Sequence, residues 1–260
     1  MKLILIGHGY IGTEIARELI EQDIKFNWLD HEHQFTMQEI EATEMVINAA
    51  GYMGEKNIDD FEKVPFKAKQ GTVEWVAFLS KAFPKRVLHI GTGCLYEGEK
   101  NGKGWSEKDA PTFDKSLYSK YKIEAEQIID ISKNWVLRIR QPFGKRKHPK
   151  NLLTKFQSYS KLNDVTGSIT CIEDMAKVVA FFVKIRPAFG IYNCVNPGAT
   201  SVRAIAQLMK LDKEWFTPEE FAVACPAPRS NCVLDATKLT DIYPLNFIDY
   251  ALHTTVKAYK

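Results

Sequence analysis

The chain has 260 residues, enough for one large α/β domain or a domain with a smaller lobe. Hydrophobic residues make up 45% and charged residues 26%, a balance that excludes a disordered chain. The 35 basic and 32 acidic side chains leave a formal charge of +3, which argues against a nucleic-acid partner.

Leu3 to Ile6 is a short apolar run that ends at a glycine cluster. Ile11, Ile15, Leu19 and Ile20 then recur at helical spacing, so the segment reads as buried strand, tight turn and amphipathic helix. The run before Gly7 is too short for the core of a secretion signal. The most apolar later stretch, residues 178–185, is broken by Lys184 and is far below spanning length, so no membrane association is expected. Five cysteines (Cys94, Cys171, Cys194, Cys225 and Cys232) form an odd set without metal-ligand spacing. They predict free thiols, no metal, and a reducing, cytoplasmic setting.

Further strands are expected at residues 24–29, 45–47, 86–90 and 135–139, with helices over 72–82, stopped by Pro84, and over 116–131. Residues 91–111 are rich in Gly, Ser and Asp and read as a loop. Beyond Gly144 the rhythm loosens, although 173–184 still reads as helix and 190–193 as strand; Pro197, Pro218, Pro226 and Pro228 mark irregular chain. The expected fold is α/β: a Rossmann-type doubly wound parallel sheet with a smaller C-terminal substrate-binding lobe. The nucleotide-binding domain would take residues 1–145 and about 165–196, the lobe about 146–164 and 197–260.

Gly7-His8-Gly9-Tyr10-Ile11-Gly12 is a GxGxxG that closes a strand and opens a helix. The first glycine permits the tight turn, the second lets backbone approach a pyrophosphate, and the third allows close helix packing. The helix N-terminus offers amide donors to the phosphates, so NAD(P) binding is expected at Gly7, Gly9, Tyr10, Ile11 and Gly12. Asp30, ending the second strand, stands where an acid accepts bonds from the adenosine ribose and repels a 2′-phosphate, which favours NADH. His31 and His33 pull against that preference, and Asp30 as a plain turn residue is the alternative. Asn48-Ala49-Ala50-Gly51 follows the third strand with small residues that let a cofactor lie against backbone.

Tyr118 and Lys122 form a YxxxK whose spacing puts both on one helix face. The ammonium can lower the tyrosine pKa, so that the phenol exchanges a proton with a carbonyl or alkoxide oxygen, and Lys122 can also hold the nicotinamide ribose. Thr92, just after a strand, supplies a hydroxyl to the same oxygen. In this order and spacing, the glycine turn, Asn48 to Gly51, Thr92 and YxxxK resemble the extended short-chain dehydrogenases/reductases.

A narrower resemblance lies in Gly91-Thr92-Gly93-Cys94-Leu95-Tyr96-Glu97, similar to the TGC(I/L)(F/Y)E segment of nucleotide-rhamnose synthase epimerase/reductases. Asn151-Leu152-Leu153-Thr154-Lys155, Asn196-Pro197-Gly198 and Ala227-Pro228-Arg229-Ser230-Asn231 are similar too. The resemblance implies that one site epimerises C3 and C5 of a nucleotide-linked 4-keto-6-deoxyhexose and then reduces C4. It places the epimerising pair at Cys94 and Lys155, and substrate contacts at Thr92, Gly93, Cys94, Asn151, Lys155, Arg229 and Asn231. It suggests NADPH, against the NADH that Asp30 favours. Arg229 would pair with the diphosphate or form a structural ion pair. The basic segment Lys145 to Lys150 is either a solvated loop or a loop that meets a diphosphate. Gln141 departs from the family's apolar Met and leaves the sugar's substituents open. A homodimer through the helices beside the Tyr118 helix follows only by analogy. Alternative readings are a simple 4-keto reductase, an enzyme for an N-acetylated 6-deoxyhexose, and a catalytically silent cofactor-binding subunit.

Overall fold

The computed structural model describes residues 2–54 and 57–259. Six strands form one parallel sheet: β1 Leu3–Ile6, β2 Asn27–Leu29, β3 Met45–Asn48, β4 Val87–Thr92, β5 Trp135–Ile139 and β6 Gly190–Asn193. Their spatial order is β6-β5-β4-β3-β1-β2. The chain leaves β1 towards β2 and returns on the other side at β3, so the strand order reverses between β1 and β3. A crevice opens outside the carboxyl ends of strands at such a reversal. This is the expected Rossmann-type doubly wound sheet.

Helix α1 Tyr10–Glu21 packs against α8 Ile172–Ile185 on one face of the sheet. Tyr10, Ile15, Ala16 and Leu19 of α1 meet Met175, Val178, Val179 and Phe182 of α8 in one apolar cluster with Leu3, Leu5 and Trp135. The short α2 Met37–Ala42 and α3 Asp59–Lys63 had no counterpart in the sequence reading. The helix expected over 72–82 begins earlier, as α4 Pro65–Lys69, passes through a π-helical turn at Gln70–Glu74, and ends as α5 Trp75–Ala82. Strand β2 is shorter than expected and partly exposed, because as the sheet's edge it has little core to bury. Helix α6 Leu117–Ile128 is capped by the Ser116 hydroxyl, which accepts from the Ser119 N–H.

Beyond the sheet, a second apolar cluster joins Phe143 to Leu153 and Phe156 of α7 Leu152–Ser158. Ile205 of α9 Val202–Leu208 and Leu252 of the C-terminal helix Ile248–Ala258 complete it. Leu239 packs in the sheet cluster, with Tyr243 and Leu245 against it, although they fall within the expected lobe. Among the described residues, no helix is long and apolar enough to cross a membrane.

Arg138 on β5 is 2% exposed. Its Nε donates to Glu126 Oε2 at 2.9 Å and its Nη1 to the Tyr96 hydroxyl at 2.7 Å, tying α6 and the loop after β4 to the sheet. A buried guanidinium stripped of its carboxylate is strongly unfavourable. Glu126→Ala is therefore expected to lower unfolding free energy by about 3–5 kcal/mol in urea titration. A loss within the ~1 kcal/mol range of a surface pair would mean that Arg138 is solvated instead.

Candidate active site

The turn after β1 is built from missing β-carbons. Gly7 has φ +109°, and a Cβ there would lie 2.9 Å from the Ala49 carbonyl carbon. A Cβ on Gly12 would lie 2.0 Å from the Gly7 oxygen, so α1 starts hard against the turn. Gly9 caps α1 without a side-chain bond, and a Cβ there would meet nothing within 4 Å. The first turn carries no acidic residue. Free amides and the positive end of the helix dipole thus face open space, the donor set a dinucleotide pyrophosphate needs. Gly7, Gly9, Tyr10 and Ile11 line a cleft of about 1100 Å³. Gly12 does not line it and acts through packing.

Ala49, Ala50 and Gly51 line the cleft after β3. Asn48 does not, contrary to its expected cofactor contact: it is 1% exposed and occupied internally. Its Nδ2 donates to His89 Nδ1 at 2.8 Å, and its Oδ1 accepts from Trp75 Nε1 and the Ala50 N–H. Burial, with help from the Lys122 charge, pushes His89 down to about 3, so this network is neutral. Asp30 also departs from expectation. It is exposed, its Oδ1 accepts the Glu32 N–H at 2.8 Å, and it lies outside the main cleft, where His31, His33 and Gln34 form the rim. Asp30 makes the turn contact of the alternative reading and also lines a smaller pocket beside the glycine turn with His8 and His33.

Thr92 at the end of β4 and Tyr118 and Lys122 one turn apart on α6 meet in the same cleft. The Thr92 hydroxyl accepts the Cys94 N–H at 3.1 Å, and the Ser119 hydroxyl donates to the Cys94 carbonyl. Burial pushes the Tyr118 phenol up, the nearby Cys94 adds to the rise, and the Thr92 hydrogen bond pulls the other way. The Lys122 ammonium stands 5.9 Å from the ring centre. Burial therefore outweighs the depression expected from that ammonium, and the phenol is a proton donor at neutral pH. Lys122 itself is brought down to about 8 by burial.

Lys155 and Lys150 line the cleft as well. Burial lowers the Lys155 amine, followed by the positive charges of Lys150 and Arg229. Cys94 packs beside Tyr118 in a cluster with Phe61 and Ala68, half-buried, and does not itself line the cleft. Besides Cys94, four expected substrate contacts are not among the residues that line the cleft. A Cβ on Gly93 would come 2.3 Å from Leu234 Cδ1, so that glycine serves packing. Asn151, fully buried, caps α7 by accepting the Leu153 N–H and donates to the Gly144 and Arg146 carbonyls. Arg229 donates to Asp59 Oδ2 at 2.7 Å and to the Ala227 carbonyl, the structural ion pair of the alternative reading. Among the described residues Asn231 Oδ1 is buried without a hydrogen-bond partner, and Asn231 does not line the cleft.

The basic segment is not a freely solvated loop. The Lys145 N–H donates to Glu173, Arg146 pairs with Glu14 at 2.8 Å, and His148 stacks on Tyr10 at 4.7 Å. Sequence reasoning missed the wall formed by Tyr52, Gly71 and the π turn. Gly71 accepts the Tyr52 N–H at 2.9 Å, and a Cβ there would lie 2.7 Å from Tyr52 Cβ. A glycine inside a helical pattern was the available signal.

A phosphate-binding helix end at a sheet switch point, facing a Thr–Tyr–Lys set, defines a nicotinamide-dependent oxidoreductase of the extended short-chain dehydrogenase/reductase class. Residues 1–259 match the family described as RmlD substrate binding domain, and the chain belongs to that family. A bifunctional dTDP-4-dehydrorhamnose 3,5-epimerase/dTDP-4-dehydrorhamnose reductase of Arabidopsis thaliana is 30% identical over 91% of this chain and 85% of its own length. A trifunctional UDP-glucose 4,6-dehydratase/UDP-4-keto-6-deoxy-D-glucose 3,5-epimerase/UDP-4-keto-L-rhamnose-reductase of the same plant is 28% identical over 94% of this chain, which spans 40% of that protein. The crystal structure of a UDP-rhamnose synthase from Acanthamoeba polyphaga mimivirus superposes with a TM-score of 0.87, 25% identity and 99% coverage of both chains. A dTDP-4-dehydrorhamnose reductase from Bacillus anthracis in complex with NADP shares the fold at 16% identity, TM-score 0.81, covering 99% of this chain and 98% of its own.

Lys122, held near 8 against an ordinary 10.5, binds fewer protons folded than unfolded between those values. Its destabilising contribution is full below about 8 and fades as pH rises towards 10.5. Lys122→Met should therefore be more stable than the parent at pH 7, with the gap narrowing by pH 9.5 in paired denaturant titrations. A gap that holds constant with pH would place the amine in water.

Proposed function

We propose that the chain is a bifunctional 3,5-epimerase/4-reductase converting a UDP-linked 4-keto-6-deoxyhexose to the nucleotide L-rhamnose. The single observation carrying this reading is that the Thr92 and Tyr118 hydroxyls face the same cleft as a lysine amine, Lys155, held below its ordinary range by burial. The two rhamnose-forming relatives and the mimivirus enzyme support the sugar.

The ketone oxygen at C4 sits against Thr92 and Tyr118, whose hydroxyls stabilise the enolate formed when a proton leaves C3 or C5. Neutral Lys155 takes that proton, and the electron pair moves onto the C4 oxygen. Cys94, adjacent to Tyr118, returns a proton from the other side of the ring; the Lys155 ammonium then gives its proton to solvent and the Cys94 thiolate takes one from it, so the second centre inverts in the same way without net oxidation. The nicotinamide supplies hydride to C4 when bound. Tyr118, a neutral phenol, then protonates the oxygen, and Lys122, beside Gly51, would hold the cofactor ribose. The glycine turn accepts the pyrophosphate. Asp30 lines a smaller pocket that shares His8 and His33 with the cleft, so a carboxylate that suits the ribose of NADH stands beside imidazoles that suit the 2′-phosphate of NADPH.

The place of Cys94 beside the cleft wall, not on it, favours a second reading, a 4-keto reductase alone. With UDP-4-keto-6-deoxyglucose and NADPH in D2O, the product is expected to carry deuterium at C3 and C5 by NMR. Cys94→Ala should stop that exchange while an already inverted substrate is still reduced; Tyr118→Phe should lower reduction about 10²–10⁴-fold. Cofactor oxidation without deuterium incorporation would leave the reductase alone.

A further inference from the structure

Ser116 and Ser119, at the start of α6, are both buried, each 1% exposed. A serine in a helix usually turns its hydroxyl to water or to a carbonyl of its own helix. Here the chain of bonds leaves the helix. The Ser116 hydroxyl caps α6 and donates to Ser119 Oγ at 3.1 Å, and Ser119 Oγ donates to the Cys94 carbonyl at 3.2 Å. At the other end of the same residue, the Cys94 N–H donates to Thr92 Oγ1 at 3.1 Å. The Cys94 backbone is thus held on both sides, by the threonine that ends β4 and by the residue next to Tyr118 on α6. Just before it, the Gly93 N–H donates to the Ile139 carbonyl at 2.8 Å, and the Gly93 carbonyl accepts from the Cys232 thiol.

We propose that Ser119 is a positioning residue for epimerisation, its hydroxyl holding the Cys94 peptide so that the thiol is set against the helix that carries Tyr118. The inference rests on the epimerase/reductase reading. A cysteine whose backbone is fixed has only χ1 left to place its sulfur, so the peptide decides which face of the sugar ring the thiol meets. Proton return is demanding in that respect, since a misplacement of about 1 Å can cost roughly 10²-fold in rate. Tyr118 and Ser119 are consecutive on α6: the phenol lines the cleft, and the hydroxyl one position on turns to the Cys94 loop. Reduction draws on Tyr118, Lys122 and Thr92 and has no use for the thiol. The loop does not depend on Ser119 for its overall course. Arg138 bonds both Glu126 of α6 and the Tyr96 hydroxyl, and the Leu95 carbonyl accepts the Thr112 and Phe113 N–H groups. Loss of the Ser119 hydroxyl therefore releases the Cys94 peptide and leaves its neighbours in place.

The test compares the parent enzyme, Ser119→Ala and Ser119→Thr. For each, deuterium incorporation at C3 and C5 of UDP-4-keto-6-deoxyglucose in D2O is measured beside NADPH-dependent reduction of the inverted ketone. Ser119→Ala is expected to lower kcat for exchange about 10- to 100-fold with KM nearly unchanged, while reduction falls by no more than about threefold. Ser119→Thr, which keeps a hydroxyl on the same carbon, should recover most of the lost exchange. Exchange at the parent rate in Ser119→Ala would overturn the proposal. Equal losses of exchange and reduction would do the same, because they would mark a hydroxyl that only supports the fold. So would a rise in KM with kcat for exchange unmoved, which would place Ser119 in sugar binding. Exchange as low in Ser119→Thr as in Ser119→Ala, with reduction intact in both, would also overturn it. Should Ser119→Thr lose both reactions, the uneven loss in Ser119→Ala carries the test alone. A parent enzyme that reduces the inverted ketone yet exchanges no deuterium would sink the epimerase reading itself, a failure separate from these.

Discussion

A methyl group at position 12 would lie 2.0 Å from the Gly7 carbonyl oxygen, and one at position 7 would collide with the backbone after β3. These two exclusions hold the site together. They let α1 begin directly at the turn, with its free amides aimed along the crevice where strand order reverses. They also bring the turn against residues 49 and 50, so the ends of β1 and β3 share one wall. Everything else in the cleft is referenced to that wall: Lys122 stands 3.5 Å from where a Gly51 side chain would begin, and the Tyr52 N–H docks on the π turn at Gly71.

Electrostatically, the cleft is a place where burial works against charge and the chain arranges hydrogen bonds to limit the damage. Among the described residues, Lys67, Lys122, Lys150 and Lys155 line it against the single acid Glu74. Such an excess suits ligands with several phosphates. Burial acts on the interior groups in opposite directions: it raises the Tyr118 phenol and lowers the Lys122 and Lys155 amines. Each shift favours the uncharged form, and each uncharged form has chemical use, a phenol that can donate a proton and an amine that can accept one. The neutral Asn48–His89–Trp75 network below completes the pattern, supporting the turn after β3 without placing a charge beneath it.

The sheet and the central residues were legible because they depend on short-range pattern. An apolar run followed by glycines, a YxxxK at one-turn spacing and a threonine at a strand end each carry their geometry in the sequence. Asn151, Arg229, Asn231 and Asp30 were not legible in the same way. A polar side chain in a shared motif has a ligand or the protein itself as its partner, and the motif does not distinguish the two. Asn151 is a helix cap, Arg229 an ion pair with Asp59, and Asp30 a turn acceptor. Arg229 finds its partner 170 positions away, while those of Asn151 and Asp30 lie within seven residues and depend on the local turn the chain adopts. The π turn was hidden for a related reason: its extra residue is set by the docking of Tyr52 on Gly71, not by local propensity.

These reassignments alter what the two lobes do for one another. Arg229 and the Ala227 N–H both close on the Asp59 carboxylate, so the C-terminal segment is fastened to α3 by two bonds to one side chain. Asn151 fixes the start of α7, and the basic segment before it is tied to α1 through Glu14 and Tyr10. Lys155 is therefore carried on a short helix whose foundation includes the cofactor-binding helix. A chemistry that needs one ketone to face a proton acceptor and then a hydride donor requires that those two references not drift apart. A shared foundation meets that need more directly than extra contacts to the sugar would, since contacts to the sugar change as its carbons invert.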